Sequence, residues 1–300
     1  MTSRSNFRGI LSMITATASF VACDSCMKLV MADAKPMQVL FMRGVAASLW
    51  CLPLLFMLGY RHQLRSTSNK WVLLRAVLET IAVGSYVIAL AKMPIADILA
   101  IFQISPLLLL IGASLFWREH IGVSRYFVIG LGIAGALMVA QPGAPTATPY
   151  AAFGFLTALA AAARDLVARN IPREIPVLVA TFTTLVVVMV AAGIATAIYE
   201  NWVSPTPRHL LLMAVSGFFL IFGHMFVFLA FRMARAGTVA PFYYAFTVWA
   251  VLSGVLIFGS FPNLLAAAGM GLIIASGLAN VALERQQPAT KGEPAPSSIA

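Results

Sequence analysis

Long apolar runs, separated by short polar turns, follow one another along almost the whole chain. Each run is close to the roughly 20 residues that a helix needs to cross about 30 Å of hydrocarbon, so each is predicted as a transmembrane helix. The turns between the runs carry Pro, Gly, Asn, Asp and Ser, which end helices. The ten predicted spans, numbered 1 to 10, cover residues 9–32, 37–59, 71–91, 94–117, 124–141, 150–171, 176–199, 208–231, 236–259 and 263–283. The pattern therefore predicts an all-α integral membrane protein.

Hydrophobic residues make up 61% of the 300 positions and charged residues only 10%, whereas soluble proteins average about 45–50% and about 25%. This composition excludes a soluble protein. The longest hydrophilic loop, residues 60–70, is too short to form a domain outside the membrane. The sequence contains no nucleotide-binding loop, nucleophile motif or metal-ligand cluster. We therefore predict a protein that is not an enzyme, with no catalytic residue, no cofactor and no metal.

The net charge of +10 would fit a nucleic-acid partner, but in a membrane protein basic residues collect in the cytoplasmic loops. With the N-terminus placed inside, the inner segments hold fifteen Lys and Arg residues and the outer ends hold four, which are Lys28, Lys35, Lys92 and Arg208. This asymmetry predicts that both termini are cytoplasmic and that the multi-pass chain lies in a bacterial inner membrane. The expected partners are membrane lipid and a small-molecule solute, and not nucleic acid.

The first half of the chain resembles the second half at a single offset of 141 residues. At this offset Asp24 aligns with Asp165, and Gly130-Leu131 aligns with Gly271-Leu272. Each half holds five spans, and because five is odd, the second half must lie inverted relative to the first. The predicted organisation is a first five-helix repeat over residues 7–141, a second five-helix repeat over residues 150–285 and a disordered cytoplasmic tail over residues 286–300.

Charged residues inside spans are costly in a membrane and therefore indicate function. Asp24 and Lys28 share one face of span 1 at a spacing of four residues, and Arg43 lies in span 2 at a similar depth below the outer surface. An ion pair between Asp24 and Arg43 fits this geometry. Two interpretations stay open: a solute-binding cluster, or a structural ion pair from which Lys28 extends toward the membrane surface.

Three further ionisable groups lie toward the inner side of the predicted spans. Asp165 in span 6 is a candidate solute ligand, whereas the neighbouring Arg164 and Arg169 fit the inside bias of basic residues. Glu79 in span 3 and His224 in span 8 lie at similar depths, and both are candidates for carrying a coupling proton. A hydrogen bond between helices is the alternative role for this pair.

Spans 4 and 9 carry polar and aromatic side chains near the middle of the membrane. The candidate solute contacts are Phe102, Gln103, Ser105, Tyr243 and Tyr244. In span 4, Pro106 cannot donate a hydrogen bond to the carbonyl of Phe102, which leaves that carbonyl free beside polar side chains. In span 9 the two tyrosines lie about two turns from the helix start, which is deeper than an interfacial belt. Cavity lining is therefore predicted for them, and an aromatic belt is the alternative.

Spans 5 and 10 are rich in glycine, which lets two helices approach each other closely. The glycines are Gly130, Gly132 and Gly135 in span 5 and Gly269, Gly271 and Gly277 in span 10. Two uses stay open, close packing within the bundle and the interface of a homodimer.

Taken together, these features resemble the EamA-like branch of the drug/metabolite transporter superfamily. Local motifs agree, since Phe41-Met42-Arg43 opens span 2, Met93-Pro94-x-Ala96-Asp97 precedes span 4 and Glu119 follows span 4. The resemblance covers residues 7–285. It implies alternating access around a central cavity lined by spans 1, 3, 4, 6, 8 and 9, and it makes Tyr86 of span 3 a further candidate solute ligand.

The resemblance also implies a secondary transporter that moves a small organic metabolite by proton-coupled or facilitated transport. Family members import riboflavin or S-adenosylmethionine, or export amino acids. Because Phe102, Gln103 and the two tyrosines of span 9 favour a flat, partly aromatic solute, riboflavin uptake is the first candidate function. Export of amino acids or amino-acid-like metabolites is the alternative, and a membrane scaffold without transport is a third.

Overall fold

The computed structural model describes residues 3–60, 68–117, 123–141, 148–168, 170–172, 174–234 and 239–286, and within these ranges every regular element is a helix. In chain order the helices are α1 (Ser3–Val30), α2 (Pro36–Met57), α3 (Lys70–Lys92), α4a (Ile95–Phe102), α4b (Ser105–Trp117), α5 (Val123–Ala140), α6 (Ala151–Ala168), α7 (Val177–Tyr199), α8 (Pro207–Met233), the 3₁₀ helix α9a (Ala240–Tyr244), α9b (Ala245–Phe258) and α10 (Leu264–Gln286). The letters a and b mark the two pieces of one crossing.

The described helices agree with the ten predicted spans in order and, at most ends, within a few residues. Eight segments are long and apolar enough to cross a membrane, and two shorter apolar helices, Tyr126–Ala140 and Phe242–Phe258, complete the set of ten. The prediction of an all-α membrane protein is therefore confirmed. Glu119 and residues 287–300 of the predicted tail lie outside the described residues.

Two crossings are broken at equivalent places in the two halves. The first break, at Gln103 and Ile104, separates α4a from α4b. It precedes Pro106, which has no N–H for the helix ladder. The second break lies where the 3₁₀ turn ending at Tyr244 gives way to α9b. Since 103 + 141 = 244, the offset places Gln103 on Tyr244. Paired discontinuous helices of this kind mark the binding region of carriers built from inverted repeats.

Most of the close packing joins the two halves of the chain rather than lying within either half. Helix α1 packs along α8, α6 along α3, α2 along α7 and α5 along α10, while α4a contacts α9b. Under the 141-residue offset α1 corresponds to α6 and α8 corresponds to α3, so the α1/α8 pair maps onto the α6/α3 pair. The α2/α7 and α5/α10 pairs each map onto themselves. The two five-helix repeats are therefore related by a pseudo-twofold axis, as inverted repeats require.

Polar bonds and glycine contacts hold the paired helices together. Ser25 of α1 lies 2.6 Å from Ser253 of α9b, measured between their hydroxyl oxygens. Such bonds between membrane helices contribute about 0.6 kcal/mol on average. Helices α5 and α10 approach so closely that a Cβ on Gly135 would lie 2.8 Å from the carbonyl oxygen of Gly269. Close packing within the bundle is therefore one use of these glycines, and the homodimer stays a prediction.

Candidate functional site

The exposure of charged side chains marks a cavity between the α1/α8 pair and the α3/α6 pair. The side chains of Glu79 on α3 and Arg164 on α6 are each 19% exposed, and that of Asp165 is 40% exposed. His224 on α8 is also exposed. Charged groups this far inside a bundle face water rather than lipid. The cavity therefore opens toward the N-terminal face, which we define as the end of the bundle where α1 begins.

The opposite face is closed by a hydrogen bond between α1 and α3. The hydroxyl of Tyr86 donates to the carboxylate of Asp24 at 2.7 Å, and both residues are buried. The backbones of α1 and α3 otherwise approach each other little along their length. This bond therefore links two helices that the cavity separates elsewhere.

Lys28 adds a second link at the closed face. Its ammonium group donates to the carbonyl oxygens of Leu90 and Met93, both at 2.6 Å, and lies 5.7 Å from the ring centre of Phe258. Asp97 lies within electrostatic range of the same ammonium. Lys28 thus binds the end of α3 and does not extend freely to the surface. Its role as a solute ligand stays a prediction.

The expected ion pair between Asp24 and Arg43 does not form in the described part of the chain. Salt bridges there join other residues, and Asp24 bonds to Tyr86 instead. Arg43 is buried within electrostatic range of Asp24 and Cys23, and its Nε atom has no hydrogen-bond partner. Arg43 therefore lies near Asp24, but the carboxylate accepts its hydrogen bond from Tyr86.

Toward the open face, Arg164 holds two carboxylates at once. One guanidinium nitrogen donates to Glu79 across the α3/α6 interface, and Nε donates to Asp165 at 2.8 Å. A guanidinium suits this task because its fixed fork of donors meets carboxylate oxygens in defined directions. Glu79 is therefore ion-paired with Arg164. The interpretation of Glu79 as a proton carrier, made from the sequence, did not include this partner.

Arg75 and His224 complete the charged surroundings of this cluster. Arg75 donates to the hydroxyl of Thr184 at 2.9 Å and lies within electrostatic range of Glu79. The Nδ1 atom of His224 lies 2.8 Å from the carbonyl oxygen of Leu220, so this nitrogen carries a proton and donates it. His224 and Glu79 influence each other electrostatically, although no direct bond joins them.

The break in the fourth crossing contributes an amide and an aromatic ring. The side-chain amide of Gln103 donates to the hydroxyl of Thr247 on α9b, while its Oε1 atom is buried without a partner. The ring of Phe102 meets that of Tyr86 edge-on, with centroids 6.4 Å apart. Ser105 begins α4b and is buried. Phe102 thus lies beside Tyr86 at the closed end of the cavity, and Gln103 and Ser105 follow it in the same segment of the chain.

The two tyrosines of α9a point to different places. Tyr243 packs edge-on against Phe246, with centroids 5.3 Å apart, and lies within electrostatic range of Arg164 and Asp165. The ring of Tyr244 instead fills the notch that Gly277 leaves in α10. The structure therefore brings Tyr243 to the cavity and does not bring Tyr244 there, because consecutive residues of a helical turn face different directions.

Comparison with known proteins assigns this arrangement to a family. The model of the EamA-like transporter family matches residues 7–141 and again residues 148–281. The chain belongs to the EamA-like transporter family. Its members are transporters, so the cavity between the two helix pairs is that of an EamA-like transporter.

Curated members of the family resemble this EamA-like chain over most of their length. A riboflavin transporter of Rhizobium johnstonii is 30% identical over 77% of this chain and 76% of its own. An S-adenosylmethionine uptake transporter of Rickettsia conorii is 26% identical over 95% of this chain and 94% of its own. The pseudopaline exporter CntI of Pseudomonas aeruginosa is 26% identical over 90% of this chain and 95% of its own. A solved crystal structure, 17% identical, covers 96% of this chain and 100% of its own with a TM-score of 0.62, which shows a shared fold.

Sequence reasoning missed Arg164 as a member of the charged cluster, and it missed the stacked pair of Phe20 and Phe246 in the packing of this EamA-like transporter. Arg164 was assigned to the inside bias of basic residues, although its position beside Asp165 in a span was a signal for pairing. Phe20 and Phe246 stack with centroids 5.8 Å apart. They carry no signal in the sequence, because an aromatic ring in an apolar span looks the same whether it faces lipid, a neighbouring helix or a cavity.

Proposed function

We propose that this chain is a secondary carrier that moves a small organic metabolite across a bacterial inner membrane by alternating access. The observation that carries the proposal is the cavity between α1/α8 and α3/α6, which is open at one face and closed at the other by the bond between Tyr86 and Asp24. A closed face joined by a few polar bonds can open without unpacking either helix pair. A scaffold has no need of charged residues along such a cavity.

The distribution of basic residues supports an orientation for this carrier. Most Lys and Arg residues of the sequence fall in segments predicted to lie on the same side as the N-terminus, so this proposal takes the N-terminal face as the cytoplasmic one. The structure then corresponds to the state open to the cytoplasm. In this proposal the inverted units are residues 7–141 and 150–285, and the transition to the outward-open state exchanges their conformations.

Riboflavin uptake is the proposed activity. It is supported by the relative from Rhizobium johnstonii that is named a riboflavin transporter and by the aromatic residues Phe102 and Tyr243 beside polar groups. Expression of the chain in a riboflavin-requiring bacterial strain should restore growth at low external vitamin. The vector alone is the negative control, and immunodetection in the membrane shows that the protein is made. If the protein is well expressed and growth is not restored, riboflavin is excluded as the substrate.

Export of an amino-acid-like metabolite is the second candidate, and the relative named a pseudopaline exporter supports it. The two candidates differ in direction, so they give opposite growth phenotypes. An exporter raises resistance to a toxic amino-acid analogue and lowers its content in the cell. Resistance without rescue on riboflavin would select the exporter, and rescue without resistance would select the vitamin carrier.

The solute contacts in this proposal are Asp24, Lys28, Arg43, Tyr86, Phe102, Gln103, Ser105, Asp165 and Tyr243. Arg43 has a buried donor without a partner, and Gln103 has a buried acceptor without one. Buried polar atoms that lack partners gain from a solute or water that supplies them. Glu79 and His224 remain the proposed pair for proton coupling. Arg164 donates to the carboxylate of Glu79 and therefore competes with a proton for that carboxylate.

A further inference from the structure

The closed face is joined by a tyrosine on a membrane helix, and a phenylalanine at the nearby helix break lies beside it. Tyr86 of α3 donates to Oδ2 of Asp24 on α1. Phe102, the last residue of α4a, meets the ring of Tyr86 edge-on, with centroids 6.4 Å apart. Of these two neighbouring rings, only that of Tyr86 carries a hydroxyl that can bond to the carboxylate.

The repeat places the same three positions at the open face, with the hydroxyl on the other ring position. The 141-residue offset aligns Asp24 with Asp165, Tyr86 with Val227 and Phe102 with Tyr243. The acid is therefore present at both faces. At the open face the helix position is an apolar valine, whereas the break position is a tyrosine. Each face thus has a phenol at one of the two equivalent positions, and the element that supplies it differs.

Tyr243 and Val227 belong to one packing cluster, as their repeat equivalents lie side by side. Both pack against a buried group that includes Met13 of α1 and Ala230 of α8. Tyr243 also lies within electrostatic range of Asp165. The ninth crossing therefore supplies a phenol beside the helix position that lacks one.

The two polar groups are available to each other. Oδ1 of Asp165 accepts from Arg164 at 2.8 Å, and the side chain is 40% exposed. Oδ2 accepts no hydrogen bond from the residues that the structure describes. Tyr243 contacts Phe246 through its ring, and within the same described ranges its hydroxyl has no hydrogen-bond partner. Asp165 can therefore accept a bond from Tyr243 while it keeps its bond to Arg164.

His224 of α8 is the rival donor, because it is exposed and lies three residues before Val227. Three residues of a helix rise by about 4.5 Å. The repeat equivalent of His224 is Val83 on α3. At the closed face the carboxylate bonds to Tyr86, three residues beyond Val83. The equivalent level at the open face is therefore that of Val227 and Tyr243, and not that of His224.

We propose that Tyr243 and Asp165 form the gate of the open face: when α6 approaches α8, the hydroxyl of Tyr243 donates to Oδ2 of Asp165. The bond forms in the conformation in which Tyr86 has released Asp24. The carrier thus exchanges one bond between a phenol and a carboxylate for another, so neither conformation is strongly favoured by its gate. This inference rests on the proposed alternating-access function and adds the residues that close its second face.

The test measures the exchange of the two faces without any solute. In right-side-out vesicles an impermeant maleimide labels Cys26 from the side of the closed face, in a background that carries Tyr86→Phe and has the other two cysteines replaced. Adding Tyr243→Phe should slow this labelling about tenfold, because the outward-open conformation loses its gate bond. Tyr244→Phe is the matched control, since this neighbouring ring packs into α10, and it should leave the rate unchanged. Equal amounts in the membrane and monodisperse gel-filtration profiles show that the variants are folded.

A double-mutant cycle in the same background identifies the partner. Asp165→Asn should also slow the labelling, and together with Tyr243→Phe it should slow it no further than the stronger of the two alone. His224→Gln and Asp165→Asn should act independently. Additive effects of Tyr243→Phe and Asp165→Asn would overturn the proposal. Coupling of His224→Gln with Asp165→Asn, without an effect of Tyr243→Phe, would overturn it in favour of the histidine.

The outcomes separate this inference from the proposed function. If Tyr86→Phe accelerates labelling and Tyr243→Phe does not reverse it, the carrier stands and the Tyr243 gate fails. If Tyr86→Phe does not accelerate labelling, the faces do not exchange as proposed and both fail. Since no solute takes part, the predicted labelling without growth rescue on riboflavin would support the gate and exclude that substrate.

Discussion

The hydroxyl of Tyr86 donates a 2.7 Å hydrogen bond to the carboxylate of Asp24, and this bond joins α1 to α3 at the closed end of the cavity. Asp165, the repeat equivalent of Asp24, lies at the open end and bonds to Arg164 instead. The position equivalent to Tyr86 is Val227, since 86 + 141 = 227. The two ends of the cavity therefore carry different polar contacts.

Tyr86→Phe removes this bond and should favour opening of the closed face. A hydrogen bond to a charged group contributes about 1.5–3 kcal/mol, so the outward-open population should rise about tenfold or more. Cys26, partly buried on α1 within electrostatic range of Asp24, reports the change in a background without Cys23 and Cys51. Its labelling by an impermeant maleimide in right-side-out vesicles should accelerate about tenfold. Tyr199→Phe, at an exposed position, is the control, and unchanged labelling of Cys26 would rule out the gate.

Glu79→Gln should uncouple proton transfer from the transport of the solute. Glutamine keeps the shape but cannot take up or release a proton, and Arg164 retains Asp165 as a partner. Accumulation driven by a pH gradient should fall at least about tenfold, while exchange of solute across the membrane should continue. Glu174→Gln, at an exposed site between α6 and α7, is the control. Normal accumulation by the Glu79 variant would point to facilitated transport.

Hydropathy predicted the ten crossings well, because a segment that crosses lipid must form its backbone hydrogen bonds internally, as a helix does, and must be apolar along its length. Pro106 indicated a freed carbonyl at Phe102, but the division of the fourth crossing into two helices was not predicted. The pairing of Glu79 with Arg164 could not be predicted, since these residues are far apart in sequence and meet only because α3 packs along α6. Arg43 showed the limit of depth as a guide, because equal depth put it near Asp24 but the carboxylate bonds to Tyr86 of α3 instead.

Gly277→Ala should destabilise the protein, because a Cβ there would overlap the ring of Tyr244. Overpacking of this kind costs about 1–3 kcal/mol. Gly271→Ala on the same helix meets open space and should leave stability unchanged or slightly raised. Thermal unfolding in detergent, followed by circular dichroism, compares the two variants. A melting temperature of Gly277→Ala at or above that of Gly271→Ala would contradict the placement of Tyr244.

Glu200 caps the start of α2 from the end of α7. Its carboxylate accepts the backbone N–H groups of Met37 and Gln38 at 3.0 and 2.9 Å, where the helix has no partners of its own. Glu200→Ala should therefore lower the free energy of unfolding by about 1–2 kcal/mol. Denaturant unfolding in detergent measures the loss, and Glu174→Ala is the control. Equal stability of the two variants would show that water replaces this cap.

The central claim is that this EamA-like transporter carries riboflavin through the cavity that the bond between Tyr86 and Asp24 closes at one face. Counterflow in proteoliposomes tests it most directly. Vesicles loaded with unlabelled riboflavin should take up labelled riboflavin transiently above equilibrium, and Phe102→Leu should slow this uptake about tenfold while Phe228→Leu, at an exposed position on α8, does not. No counterflow of riboflavin by folded, inserted protein, or equal rates for the two variants, would contradict the account.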